Sequence, residues 1–167
     1  MLFRSCYGYI TDARIVNGSA VYSPSSSTLT VPTAPLTAVS GTQLLLSCTN
    51  GSIIDATAKN DLQTVGSTQI SSTTAKFGST SIKFNGTTDY LTAPNNKIYS
   101  FPNDFTIEFW WYPNSTTNQN IISKWNSSTE WILQWRSAGY FRWAASGAVV
   151  LDANYTLSTG TWMHVAV

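Results

Sequence analysis

The sequence predicts an all-β fold built of antiparallel layers, and three observations lead there. Helical periodicity is nearly absent along the chain. Short runs of β-branched and aromatic residues recur instead, each closed by Gly, Asn, Ser or Pro. Within the most informative run the side chains alternate: Phe105, Ile107, Phe109 and Trp111 share one face, and Thr106, Glu108, Trp110 and Tyr112 the other. Strands at this spacing, with no helix between them, indicate a sandwich or a barrel. With 167 residues, 43 % of them hydrophobic and 13 % aromatic, the chain has material for one domain with a sizeable core.

In chain order, strands are expected near Gly8–Val16, Gln43–Thr49, Lys76–Asn85, Phe105–Tyr112, Asn120–Trp125, Trp131–Arg136, Tyr140–Ala145, Val149–Asp152 and Trp162–Val167. Shorter pieces are expected around Thr64–Ile70 and Tyr90–Thr92. The stretch Tyr22 to Ser40 differs from its surroundings: Pro24, Pro32 and Pro35 stand among Ser and Thr, with few large apolar residues. Proline removes ladder donors and fixes φ, so this segment is an extended linker between two modules or a long ordered loop hugging one domain.

Composition narrows the function classes. Charged residues are 10 % of the chain and the net charge is +1, so nothing favours phosphate backbones or anionic lipid, and nucleic acid is not an expected partner. Solubility must come from hydroxyls and amides, a balance that suits an extracellular or virion-surface protein. No apolar run approaches the roughly 20 residues of a membrane span, and Met1–Ile10 is too short and polar for the core of a signal peptide. Cys6 and Cys48 are expected to be buried free thiols rather than a staple. The six sequons, at Asn17, Asn50, Asn85, Asn114, Asn126 and Asn154, follow from composition and do not indicate glycosylation.

Alternation also suggests a recognition surface. On the run Trp131–Arg136, Trp131, Leu133 and Trp135 form an apolar side, leaving Ile132, Gln134 and Arg136 opposite; Tyr140 and Arg142 extend that mixed side, with Phe141 and Trp143 behind. A sheet buried on one side would carry aromatics, amides and cations on the other. Sugars present apolar C–H faces rimmed by hydroxyls, so such a mixture suits carbohydrate. Trp110, Tyr112, Gln134, Arg136, Tyr140 and Arg142 are the expected binding residues.

Four segments resemble the concanavalin A-like, laminin G-like jelly rolls. Phe77-Gly78-Ser79 through Ser81–Gly86 to Asp89-Tyr90-Leu91 is similar to the family's opening pattern. Asp104–Pro113 is similar to its central strand, and Gly160–Val167 to the strand that precedes a hairpin. Gly8–Ile15, with Asn17-Gly18 and Tyr22, is similar to its closing strand. The resemblance implies a two-sheet antiparallel jelly-roll sandwich, but the closing motif comes first. Residues 1–22 are therefore read as the closing strand of a preceding or permuted module, 23–40 as the linker, and 41–167 as a laminin G-like domain truncated before its final hairpin. A fragment of a tandem array is the preferred explanation, and poor solubility of the isolated chain is expected. In either case Gly8–Val16 should lie beside Gln43–Thr49, because the family's first and last strands are neighbours.

The family context implies a non-catalytic, adhesive or structural module, such as part of a phage tail fibre or bacterial surface protein. Its partners would be a cell-surface glycan and neighbouring repeats or fibre subunits; a purely structural repeat without ligand is the alternative. Glycoside hydrolases share this fold and need two carboxylates about 5–9 Å apart. Glu108 stands alone on its strand, and nothing pairs Glu130 with Asp152, so catalysis is not expected. The sole histidine, His164, reads as a structural, hydrogen-bonded imidazole. No cofactor is expected, although calcium is common among relatives of the fold; Asp89, in the opening segment, is the acid at which it would bind.

Overall fold

A computed structural model describes residues 2–4, 6–48, 52–124 and 130–167. The strands are β1 (Leu2–Arg4), β2 (Tyr7–Asn17), β3 (Thr42–Ser47), β4 (Ile54–Asp55), β5 (Gln63–Val65), β6 (Gln69–Ser71), β7 (Ser81–Asn85), β8 (Tyr90–Thr92), β9 (Phe105–Pro113), β10 (Gln119–Lys124), β11 (Trp131–Arg136), β12 (Tyr140–Ala145), β13 (Ala148–Asn154) and β14 (Met163–Ala166). They form two antiparallel sheets: sheet A in the order β13-β12-β11-β10-β1-β8-β5, and sheet B in the order β14-β9-β2-β3-β4, with β7 paired to β2 and β6. The fold is the expected all-β jelly-roll sandwich.

The alternation works as read. Ile107, Phe109 and Trp111 of sheet B are fully buried, and they meet Leu133, Trp135 and Trp143 of sheet A in one core. Burying each such side chain contributes about 1.5–3 kcal/mol relative to leaving it in water. Expected strands and observed ones agree closely for β8, β9, β11 and β12. The piece around Thr64–Ile70 is two strands, because Gly66 turns between them at φ +72°; a Cβ there would lie 2.7 Å from the Thr88 carbonyl oxygen. The strand expected from Lys76 begins only at Ser81. Thr49 and Trp125, the last residues of two expected strands, lie outside the described residues, as do the sequons at Asn50 and Asn126.

The central strand of sheet B is β2. Its Gly8–Asn17 stretch pairs with β9, and its other edge pairs first with β7 and then, over Ala13–Val16, with β3. The expected neighbourhood of Gly8–Val16 and Gln43–Thr49 is therefore present. A register shift between Thr11 and Arg14, with Asp12 at φ 49°, bends β2 where its second edge changes partner. Gly8 is required by the crowding at the other end: a Cβ would sit 2.0 Å from the Tyr112 carbonyl oxygen. The strands before residue 18 and those from Thr42 onward thus share one pair of sheets. Between them, residues 18–41 form no strand but cross the outer face of sheet B as a strap. Gly18 N–H donates to the Asp104 carbonyl at 2.8 Å, Val21 N–H to the Thr106 hydroxyl at 2.8 Å, and the Arg14 guanidinium to the Thr37 carbonyl at 2.6 Å.

Candidate functional site

The six residues expected to form one carbohydrate surface are divided between two faces. Trp110 and Tyr112 lie on β9, in sheet B; Gln134, Arg136, Tyr140 and Arg142 lie on β11 and β12, in sheet A. Both sets point away from the shared core, hence in opposite directions. The periodicity identified outward-facing residues correctly but carried no information about which sheet each strand joins.

On sheet B the outer face is covered around Trp110 and Glu108. Trp110 is 4 % exposed, under the Lys76 ammonium (4.2 Å from its ring centroid) and edge-on to Phe77 at 5.6 Å. Tyr112 is half-buried between Tyr9 and Trp162, with ring centroids at 5.8 and 5.5 Å. Beside them lies a polar cluster centred on the fully buried Glu108. The Arg14 Nε–H donates to Glu108 Oε1 at 2.8 Å and Nη2 donates to the same oxygen. The Tyr22 hydroxyl, delivered by the strap, donates to Oε2 at 2.6 Å, and His164 Nε2 lies 3.1 Å from that oxygen. Burial alone would push the Glu108 carboxyl up; the bonds from His164, Tyr22 and Arg14, with the guanidinium charge, outweigh it and hold the carboxyl below its ordinary value. His164 is hydrogen-bonded, in keeping with its reading from the sequence.

On sheet A the outer face is open, and the register assembles it. Asn120 pairs with Gln134, Gln134 with Arg142, and Arg142 with Asp152, so one row of polar side chains crosses β10, β11, β12 and β13. Directly paired residues project to the same side of a sheet, and three inter-strand spacings make the row roughly 14 Å long. Gln134 Nε2 donates to Asn120 Oδ1 at 2.7 Å. Arg142 donates through Nε and Nη2 to both oxygens of Asp152 at 2.8 Å, and its guanidinium lies 5.2 Å from the Tyr140 ring centroid. Arg136 and Tyr140 pair across β11 and β12 as a flanking row. A shallow groove of about 290 Å³ runs along Asn120, Gln134 and Arg142, floored by Ile132 and Ala144. Asn120 and Asp152 were not expected here; only the pairing register, which lies outside any single strand's pattern, brings them in.

The expected calcium ligand is engaged otherwise. Asp89, 3 % exposed, accepts the Ser67 N–H at 2.7 Å through Oδ1 and the Asn85 N–H at 3.1 Å through Oδ2, tying the β5–β6 turn to the β7–β8 turn. Among the described residues no group of three or more His, Cys, Asp or Glu is placed to hold a metal ion. Glu130 and Asp152 each take a cation, Lys124 and Arg142, rather than each other. Cys6 and Cys48 are buried free thiols, pushed up by burial to about 12 and about 11.

With the geometry in place, a laminin G family model, that of the concanavalin A-like lectin/glucanases superfamily, matches residues 85–167. Over those residues the chain belongs to this superfamily. A search of curated proteins and one of solved structures returned no significant match. The laminin G-like segment runs from the end of β7 through β14 and holds both outer-face sets, including the whole polar row. It takes its central partner, β2, from residues before the matched range.

Proposed function

We propose that the protein is a non-catalytic recognition module of an extracellular or virion structural or adhesive protein, and that it binds neutral carbohydrate on the outer face of sheet A. The observation that carries this reading is the cross-strand row Asn120, Gln134, Arg142, Asp152. It offers amide, guanidinium and carboxylate groups side by side above an apolar floor, and the Arg142–Asp152 pair cancels its own charge. Hydroxyls need such interleaved donors and acceptors, while the C–H faces of a sugar need the apolar ground and a ring such as Tyr140. The non-catalytic part is supported by Glu108, whose oxygens are occupied by Arg14, Tyr22 and His164 behind the strap. It has no room for a scissile bond or a second acid beside it.

The test is a glycan array followed by titration calorimetry on the full chain. At least one neutral glycan is expected to bind; Arg142→Ala should weaken it by about tenfold, the worth of one charge-assisted hydrogen bond, and Gln134→Ala by about fivefold, the worth of a neutral one. Binding that both variants leave untouched would remove this face from consideration.

A second reading, a structural module that works by assembly, is favoured by one specific observation. β13 and β14 are the outermost strands of their sheets, and Val149, Val150 and Leu151 of β13 are 51, 63 and 54 % exposed. Under that reading Val150→Lys lowers self-association in sedimentation experiments and glycans are ignored.

A further inference from the structure

We propose a second carbohydrate subsite, in the recess at one end of the sandwich between the Lys97–Tyr99 3-10 turn and the ends of β11 and β12. It rests on the recognition reading above and adds a place where a single pyranose ring stacks. The recess measures about 450 Å³, inside the range of roughly 300–1,000 Å³ typical of small-ligand sites. Its floor is a closed quartet of near-parallel rings. Phe101 stacks on Phe105 at 4.4 Å, Phe105 on Trp143 at 5.4 Å, Trp143 on Trp131 at 5.0 Å, and Trp131 on Phe101 at 5.3 Å. The indoles are almost wholly buried, but Phe101 and Phe105 are only half-buried and form the part of the floor that reaches the surface. Trp131 Nε1–H donates to the Tyr99 carbonyl at 2.7 Å, which fixes the plane of the stack.

One wall is polar. The Glu130 carboxylate pairs with the Lys124 ammonium at 2.8 Å, and that ammonium donates to the Ser100 hydroxyl at 2.6 Å. Lys124 is buried, whereas the Glu130 side chain keeps 24 % of its surface accessible. An aromatic floor beside a hydroxyl and a carboxylate is complementary to a molecule with an apolar face and an edge of hydroxyls. The two charges offset one another, so neither an anion nor a cation is selected. That combination describes a neutral pyranose: C–H groups against the part of the Phe101–Phe105 stack that reaches the surface, hydroxyls donating to Glu130 and exchanging bonds with Ser100. The recess opens at the end of the sandwich, whereas the polar row lies on its outer face, so the two are separate sites.

The experiment is a titration of the ¹⁵N-labelled full chain with a panel of methyl pyranosides, with adenosine as a flat aromatic control. The indole N–H signals of Trp131 and Trp143 report on the recess, and the side-chain amide signals of Asn120 and Gln134 report on the outer face. Saturable shifts of the indole signals with at least one pyranoside are expected. Glu130→Gln should weaken them about tenfold, as one bond to a charged group is worth. Because that change leaves the buried Lys124 without its counter-charge, Phe101→Leu is the second variant; it keeps an apolar side chain, removes the stacking ring and should abolish the shifts. Amide shifts with silent indoles overturn the subsite and leave the outer-face reading standing. Indole shifts with silent amides support the subsite and remove the outer face. No shifts with any pyranoside, or indole shifts with adenosine alone, overturn the subsite.

Discussion

The two outer faces of the sandwich carry the same kind of side chain and have opposite fates. On each, an arginine stands across the ladder from an acid: Arg14 opposite Glu108 in sheet B, Arg142 opposite Asp152 in sheet A. The first pair is 6 % and 0 % exposed at its side chains, the second 22 % and 36 %. The difference comes from the 18–41 segment, which crosses sheet B and delivers Tyr22 onto Glu108, and which has no counterpart over sheet A among the described residues. An ion pair under a cover is a structural component, because removing either partner leaves a charge out of water. An ion pair in the open stabilises little and is free to exchange bonds with a ligand.

The sharpest way to break this comparison is Glu108→Gln. It leaves the Arg14 guanidinium buried without its counter-charge, and stability should fall by about 3–5 kcal/mol, read from the midpoint of urea unfolding. Acid should reveal the same group. The folded-state carboxyl is depressed, so its contribution is fully present above the ordinary value of 4.5 and is lost as pH falls through the lower folded value. Asp55 contributes in the same direction: burial would raise it, but bonds from Leu45, Asn60 and Thr57 bring it below the ordinary range. Asp12, raised chiefly by burial, opposes them. The difference between wild type and Glu108→Gln cancels the other two. That difference should shrink steadily below pH 4.5; one that stays constant to the lowest pH would mean that Glu108 is not held ionised by its partners.

Tyr22→Phe tests whether the strap is what closes sheet B. It removes one hydroxyl and leaves the ring and its edge-on contact with His164, at 6.1 Å, in place. The loss of a hydrogen bond to a charged group should cost about 1–2 kcal/mol. Hydrogen exchange should also quicken at Val21 N–H, which the Thr106 hydroxyl secures. Unchanged exchange there would mean that the strap is held by its other anchors, at Gly18 and Thr37, and not by Tyr22.

The all-β class, the long central strands and the inner faces were legible because period-two alternation is local, and Phe105 to Phe109 display it without interruption. The closeness of β2 and β3 was legible through family likeness. The candidate site was legible only by halves. Gln134, Arg136, Tyr140 and Arg142 share a hairpin, and a hairpin keeps its faces in sequence. Trp110 and Tyr112 read the same way by pattern, yet their strand belongs to the other sheet, and sheet membership is a long-range property. Tyr22 to Ser40 could be a linker or a surface-hugging loop, since proline and serine suit both; the bonds that make it a cover come from Asp104, Thr106, Arg14 and Glu108 elsewhere in the chain. Asp89 shows the same limit, because the Ser67 and Asn85 N–H groups it accepts are brought to it by two turns that no single segment displays. A buried carboxylate that accepts two backbone N–H groups looks, in sequence, like one waiting for a cation.

The smallest expected effect is the most discriminating one. Arg142→Ala removes the guanidinium at the centre of the polar row, with its bonds to Asp152 and to the Tyr140 hydroxyl at 3.2 Å. Both charges of the pair stand in water, where screening and side-chain entropy leave little net stabilisation, so the unfolding midpoint should not move measurably. Arg14→Ala, chemically the same substitution on the other face, should destabilise severely and leave the row proposed to bind glycan intact. If Arg142→Ala proves as damaging as Arg14→Ala, then sheet A's outer face is also covered in the working molecule. Whatever covers it, a second chain or a neighbouring module, would occupy the row assigned to carbohydrate.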